Sequence, residues 1–153
     1  MKKLVVLAAG GTGGHLFPAA ALSGELLVRG WAVVLITDQR GTENSASAAL
    51  RDVTTYVVRS GTPAGRNLFA AAWVILQILV GTCRAWWLLL RLRPAVVVGF
   101  GGYPALPTMW AALQRGIPTV IHEQNAVLGR VNRLLVKRVS GVALSYVETA
   151  RLP

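Results

Sequence analysis

Acidic residues and cysteine are scarce in this sequence. Asp and Glu together number 6 against 16 Lys and Arg in 153 residues, which gives a formal net charge of +10. The single cysteine, Cys83, excludes an internal disulfide and a cysteine-based metal cluster. The two histidines, His15 and His122, stand far apart without the neighbouring ligands of a zinc motif. We therefore expect neither a metal nor another cofactor.

Charged residues of either sign are also few, at 14%, whereas 54% of the residues are apolar. This balance excludes a disordered chain, and the length is that of one domain with a proper core. The basic excess favours phosphorylated substrates, anionic lipid or nucleic acid, and composition alone does not choose among them. The start of the chain, two lysines and a short apolar run, lacks a cleavage pattern, so we interpret it as a strand of a cytoplasmic protein.

Short apolar runs alternate with helix-length segments along the chain. The pattern predicts strands at 3–9, 32–37, 53–58, 96–98, 118–121 and 142–144. It predicts helices at 16–29, 44–50, 68–92, 105–115 and 128–138, a turn at 38–42 and a loop at 59–66. Buried-type strands that alternate with helices indicate an α/β fold, a doubly wound, Rossmann-like parallel sheet.

Three polar clusters follow predicted strands, at Gly10–His15, Gly99–Tyr103 and His122–Asn125. Open parallel sheets bind ligands at the carboxyl ends of their strands, so the three clusters predict one site. A glycine-rich turn before a helix is suited to anions, above all phosphate. The alternative is that each glycine loop only makes a tight turn.

Individual residues of these clusters have chemical roles to offer. His15 is a candidate general base, or else a helix-start residue bound to the backbone. Glu123 is a candidate base, a group that orients His15 or a substrate hydroxyl, or the partner of an arginine. Asn125 is suited to bind a sugar or an amide, or to cap a turn.

A dinucleotide-binding motif is only half present. Gly11 and Gly13 match its first two glycines, but Leu16 occupies the position of the third. Asp38 lies near the position at which an acidic residue would bind the ribose. There is no Gly-Lys-Ser/Thr, which excludes a P-loop. A dinucleotide-dependent oxidoreductase is therefore the weaker alternative.

The segment 68–92 is apolar almost all round, with one narrow polar stripe of Gln77, Arg84 and Arg91. It has the length of a membrane span, but a helix on a membrane surface or a core helix also fits. We favour the membrane surface because arginines and tryptophans, which suit an anionic interface, are interleaved here: Arg66, Arg84, Arg91, Arg93, Trp73, Trp86 and Trp87.

The three glycine and histidine clusters, in this order and spacing, resemble the N-terminal half of the bacterial peptidoglycan N-acetylglucosaminyltransferases. The resemblance implies a GT-B fold, in which two Rossmann-like domains face each other across a cleft. Residues 1–153 would be the N-terminal, acceptor-side domain, and the C-terminal donor-nucleotide domain would be absent from this chain. The implied reaction transfers N-acetylglucosamine from UDP-N-acetylglucosamine to an undecaprenyl-linked N-acetylmuramoyl-pentapeptide, with inversion and without a covalent nucleophile.

The resemblance also implies roles for particular residues. His15 would be the base for the acceptor's 4-hydroxyl, with Glu123 and Tyr103 nearby. The donor would bind Thr12, Gly13, Gly14 and Asn125, and the glycine loops, with Gly101, Gly102 and Tyr103, would hold the lipid-linked diphosphate or face the donor. The membrane contact would comprise Trp73, Leu76, Leu79, Arg84, Trp86 and Trp87.

The implied location is peripheral, on the cytoplasmic face of the plasma membrane, with an anionic membrane surface and no nucleic acid as partner. The isolated chain is expected not to transfer sugar. The alternative is a membrane-surface adaptor, or an acceptor-binding subunit of a split glycosyltransferase that is inactive alone.

Overall fold

The computed structural model describes residues 3–43, 50–62 and 68–152. These residues form one sheet of six parallel strands in the order β3-β2-β1-β4-β5-β6. The strands are β1 (Leu4–Ala8), β2 (Ala32–Thr37), β3 (Thr54–Val57), β4 (Val96–Gly99), β5 (Thr119–Glu123) and β6 (Gly141–Leu144). The predicted doubly wound α/β sheet is confirmed, and its strand order reverses direction between β1 and β4.

The helices are α1 (Gly13–Val28), α2 (Gln39–Glu43), α3 (Leu68–Leu92), α4 (Leu106–Gln114) and α5 (Arg130–Leu135). The bounds of α3 agree with the prediction from its continuous apolar content. The predicted turn at 38–42 is wrong, because most of it is the short helix α2. The predicted helix at 44–50 lies, except for Leu50, outside the described residues, as do residues 63–66 of the predicted loop, Arg66 included.

The helix and strand ends around the polar clusters differ from the prediction. Helix α1 begins three residues early, so Gly13, Gly14 and His15 form its first turn. Strand β5 continues to Glu123, and a 3-10 turn (Tyr103–Ala105) precedes α4. The last predicted helix is shorter at both ends, since only 130–135 is helical.

Alternation along β1 divides the core between the two faces of the sheet. Val6 and Ala8 belong to the cluster beneath α3, α4 and α5, whereas Val5 and Leu7 belong to the cluster beneath α1. All four are at most 2% exposed. Burial on both faces explains why the strand is continuously apolar rather than alternating.

Helix α3 packs closely on α4 and on the segment that follows β3. A Cβ added at Gly81 would overlap the carbonyl oxygen of Arg59 and would lie 3.3 Å from Pro107 Cβ. Glycine is required here because no side chain fits between the helix and that carbonyl group. The position of α3 along the sheet is therefore fixed by backbone contact.

Candidate active site

The polar clusters meet at the carboxyl edge of the sheet, where the strand order reverses. Strands β1 and β4 are neighbours, so the loop after Ala8 lies beside the loop after Gly99, and β5 adds its own end next to β4. A crevice at such a switch point is the usual ligand site of doubly wound sheets. The predicted convergence of the three clusters is thus present in the fold.

His15 lies between the two other clusters. Its Nδ1 is 2.7 Å from Nε2 of Gln124, which follows β5. On the other side of the ring, a Cβ added at Gly102 would lie 3.0 Å from His15 Nε2. Gly102 has a φ of 72°, a left-handed conformation that favours glycine. The glycine loop after β4 therefore leaves room for the imidazole, and Gln124 holds it.

The first turn of α1 presents backbone N–H groups to the same crevice. Thr12 is extended at the helix start, with a φ of −137°, and Gly13 and Gly14 open the helix without side chains above them. The first N–H groups of a helix have no carbonyl partner within it and carry the positive end of its dipole. This turn is suited to receive a phosphate group.

Glu123 is buried, with 1% of its surface exposed, and its carboxylate accepts four hydrogen bonds. Oε1 accepts from Asn125 N (3.1 Å) and Asn125 Nδ2 (2.9 Å). Oε2 accepts from Gly129 N (2.8 Å) and Asn132 Nδ2 (2.9 Å). Burial by itself raises the pKa of Glu123, but these hydrogen bonds outweigh it and hold the pKa below its ordinary value. The side chain is thus a carboxylate that organises the turn after β5.

The imidazole of His122 packs on the glycine loop after β4. Its ring centroid is 5.5 Å from that of Phe100, and its Nε2 is 3.3 Å from Ser145 Oγ. Burial lowers the pKa of His122, while Gln124 and the carboxylate of Glu123 offset part of the decrease. The imidazole is therefore neutral near pH 7.

Sequence reasoning missed two residues of this arrangement. Asn132, on α5, donates to Glu123 and also to the backbone oxygen of His122 (3.0 Å). No spacing signal pointed to it, because it comes from a different element and reaches the turn only in the folded chain. Gln124 was visible within the cluster His122–Asn125, but its contact with His15 depends on the pairing of β4 with β5.

The predicted site residues are distributed as follows. His15, Thr12, Gly13, Gly14 and Gly102 border the crevice, and Asn125 is exposed at its β5 side while donating to Glu123. Gly101 is buried against Asn132, and Tyr103 begins the 3-10 turn next to it. Within the part of the chain that the structure describes, no group of three His, Cys, Asp or Glu side chains is close enough to hold a metal ion.

The residues of the predicted membrane contact lie along α3. Trp73 (58% exposed), Leu76, Leu79 and Trp87 (50%) project into solvent, as do Trp86 and Arg84. Arg91 lies over the ring of Trp87, 3.5 Å from its centroid, and Arg115 lies over Trp86 at 4.6 Å. The exposed face therefore combines aromatic rings with guanidinium groups.

Asp38 has a role other than ribose binding. Its carboxylate accepts from Gly41 N (3.0 Å) and pairs with Arg40 Nε (2.9 Å), so it caps the turn into α2. With the third glycine missing as well, the residues give no support to the oxidoreductase alternative.

The parallel sheet, its two glycine loops and the histidine at the switch point are those of the N-terminal half of a GT-B glycosyltransferase. The chain belongs to the glycosyltransferase family 28 N-terminal domain family, whose model matches residues 5–144.

Relatives of named activity are similar over nearly the whole chain. The UDP-N-acetylglucosamine–N-acetylmuramyl-(pentapeptide) pyrophosphoryl-undecaprenol N-acetylglucosamine transferase of Rhodospirillum centenum is 54% identical over 144 residues, 94% of this chain and 37% of its own length. The protein of the same name from Caulobacter vibrioides is 52% identical over 149 residues, 95% of this chain and 40% of its own length.

A solved structure gives the same result. The crystal structure of MurG from Acinetobacter baumannii matches with a TM-score of 0.80 and 32% identity, over 99% of this chain and 42% of that one. The glycosyltransferase CalG4 matches with a TM-score of 0.60 at 17% identity, over 81% of this chain and 33% of that one, which is a likeness of fold alone. The chain thus spans about two fifths of the length of its relatives from Rhodospirillum, Caulobacter and Acinetobacter.

Proposed function

We propose that this chain is the acceptor-side domain of an inverting N-acetylglucosaminyltransferase. The reaction transfers N-acetylglucosamine from UDP-N-acetylglucosamine to a lipid-linked N-acetylmuramoyl-pentapeptide, as the names of the relatives state for those proteins. The observation that carries the proposal is His15, held 2.7 Å from Gln124 in the crevice between two glycine loops. We also propose that residues 1–153 form one domain and that a second domain supplies the donor-nucleotide site.

His15 is the proposed general base. The oxygen of the acceptor's 4-hydroxyl attacks C1 of the donor sugar, the bond from C1 to the UDP oxygen breaks, and the hydroxyl proton passes to His15 Nε2. For Nε2 to accept, Nδ1 must carry the other hydrogen and donate it to Gln124. The amide of Gln124 therefore turns its Oε1 toward the ring, a half-turn that exchanges two groups of nearly equal shape.

The leaving diphosphate is the second chemical requirement. Negative charge grows on UDP as the bond to C1 breaks, and the first turn of α1, with Thr12, Gly13 and Gly14, directs its positive dipole end to that charge. Asn125, exposed at the other side of the crevice, is the proposed hydrogen-bonding partner of the donor. Gly101, Gly102 and Tyr103 are the proposed wall toward the acceptor sugar.

Glu123 is proposed to act through its neighbours rather than by taking the proton itself. All four of its hydrogen bonds come from donors within this domain, and they favour the ionised form. It fixes the turn that carries Gln124 and Asn125. Of the two catalytic candidates, His15 is therefore the proposed base and Glu123 a positioning residue.

A chimera tests the proposal. Residues 1–153 replace the matching segment of the Caulobacter vibrioides relative, and transfer of labelled N-acetylglucosamine to a short-chain lipid-linked N-acetylmuramoyl-pentapeptide is measured. We expect the chimera to be active. His15→Ala should lower the rate of transfer at least about 100-fold, because a general base contributes that much. The exposed control Lys137→Ala should not lower it. A cooperatively folded chimera without activity would favour the adaptor alternative, and an active His15→Ala variant would remove His15 as the base.

We further propose peripheral attachment of this domain to the cytoplasmic face of the plasma membrane through α3. By length and composition α3 is able to cross a membrane, and little of its apolar stretch is buried. Yet Gly81, Ala85 and Leu89 on one side of α3 are packed in the domain. A helix anchored on that side, with tryptophans and arginines on the other, suits a place in the membrane interface.

Cys83 offers a direct test because it is exposed on α3 and is the only cysteine. A polarity-sensitive fluorophore on Cys83 should shift to the blue with vesicles of phosphatidylglycerol, and much less with vesicles of phosphatidylcholine. The double variant Leu76→Ser/Leu79→Ser should abolish the shift, whereas Val28→Ser, at an exposed apolar position on α1, should keep it. Equal shifts in all three proteins would contradict the proposed contact.

A further inference from the structure

A cleft of about 640 Å³ lies beside the crevice, between the ends of β2 and β3 and the helix α3. We call it the arginine cleft. The residues that matter here are Asp38, Arg40, Arg59, Ser60, Trp73 and Arg84. None of them takes part in the proposed chemistry at His15.

The charges of the arginine cleft are unbalanced. Asp38, the one carboxylate among the described residues that line it, pairs with Arg40 Nε at 2.9 Å and accepts from Ser60 Oγ at 3.2 Å. Arg59 and Arg84 are exposed, and no acidic side chain pairs with either within the described ranges 3–43, 50–62 and 68–152. Two guanidinium groups therefore face a concave space without a counter-charge, which suits a group of about two negative charges.

The arginine cleft lies between the first glycine loop and the exposed face of α3. At the inner end of the cleft, a Cβ added at Gly10 would lie 3.0 Å from Asp38 Oδ1, so the first glycine loop adjoins the cleft wall. At the outer end Trp73 is 58% exposed on the proposed membrane face of α3. An anion held here would therefore lie between the first glycine loop and the proposed membrane face of α3.

The walls of the cleft are held in place from both sides. Backbone contact between Gly81 and the Arg59 carbonyl joins α3 to the segment after β3. In the amide orientation that satisfies both partners, Gln77 donates to the backbone carbonyl oxygen of Ser60 (3.0 Å) and accepts from Trp73 Nε1 (2.7 Å). Arg59 and Arg84 therefore project from elements that do not move independently, as a preorganised anion site requires.

We propose that the arginine cleft binds the diphosphate of the lipid-linked acceptor. The lipid chain would leave along Trp73 toward the membrane, and the sugar would extend past Gly10 to His15. This inference rests on the proposed function. The glycine loops would then contact the acceptor sugar and the donor. The resemblance also permits the lipid-linked diphosphate at these loops, and the proposal places it in the arginine cleft instead.

Direct binding tests the proposal without any sugar transfer. Farnesyl diphosphate, a soluble lipid diphosphate, is titrated into the 153-residue chain by calorimetry. We expect the unmodified chain to bind farnesyl diphosphate. The Kd should rise at least tenfold in the double variant Arg59→Gln/Arg84→Gln and less than twofold in the control Arg91→Gln. Arg91 is matched because it lies on the same helix but over Trp87, outside the cleft.

Other results would overturn the proposal. One is that the unmodified chain does not bind farnesyl diphosphate. Another is an equal loss of binding in the double variant and in Arg91→Gln, which would indicate a non-specific basic surface. The third is unchanged binding of farnesyl diphosphate in the double variant. In that last case, lost binding of phosphatidylglycerol vesicles would assign the two arginines to phospholipid headgroups instead. Because no donor or transfer step is involved, failure of the chimera assay and failure here are distinguishable.

Discussion

The carboxylate of Glu123 allows a quantitative prediction. In Glu123→Gln one carboxylate oxygen is replaced by an NH2 group, which cannot accept a hydrogen bond. In one orientation of the amide this group faces Asn125 N and Nδ2, and in the other it faces Gly129 N and Asn132 Nδ2. Two of the four hydrogen bonds are lost. Hydrogen bonds to a charged group contribute about 1.5–3 kcal/mol each, so the free energy of unfolding should fall by at least about 3 kcal/mol. That is a large share of the stability of a domain, about 5–15 kcal/mol.

Urea unfolding of the 153-residue chain at pH 7 measures this loss, with Glu148→Gln, an exposed carboxylate, as the matched control. The pH dependence follows from the lowered pKa of Glu123. Its contribution is complete above the unfolded-state pKa, about 4.3, and is lost as the pH falls through the lower folded-state pKa. The difference in the free energy of unfolding between the parent chain and Glu123→Gln should therefore be constant from about pH 7 to 5 and decrease below about pH 4. Equal stabilities at pH 7 would refute the reasoning.

Three further predictions use other contacts. Gly81→Ala should lower the free energy of unfolding by about 3 kcal/mol because its Cβ meets a backbone carbonyl, whereas Gly24→Ala, in an open part of α1, should raise it by up to about 1 kcal/mol. A destabilised Gly24→Ala would contradict this. Gly102→Ala, at a φ of 72° and 3.0 Å from His15 Nε2, should lower transfer by the chimera at least tenfold, and undiminished transfer would count against the crevice geometry. His122 should titrate in an NMR experiment below its ordinary value of 6.5, and a midpoint at or above 6.5 would contradict its burial.

The parts of the fold that follow from local pattern were predictable. Helix α3 has the predicted bounds because twenty-five apolar-rich residues without glycine pairs or proline leave no other place to start or stop. The strands were found because apolar runs bounded by glycine or polar residues are typical of a doubly wound sheet. The prediction starts α1 three residues too late because glycine has a low helix propensity, which tertiary contacts of His15 override.

The parts of the site that depend on strand order were not predictable. The contact of Gln124 with His15 exists because β4 stands between β1 and β5, and a linear sequence does not state that order. Asn132 lies on α5, outside the three polar clusters that the sequence predicts to form the site. The arginine cleft joins Arg40, Arg59 and Arg84 from three separate segments, so no motif contains it.

The central place of β1 in the sheet has a consequence for how the domain is made. On one side β1 pairs with β2, the next strand to be synthesised, but on the other it pairs with β4, which lies far along the chain. Long-range pairings of this kind are slow to form because a large loop must close first. During translation His15 therefore emerges early and acquires its crevice only after β4 and β5 have left the ribosome. Assembly of the crevice at His15 therefore depends on the same β1–β4 pairing as the sheet, so a defect in that pairing would remove both together.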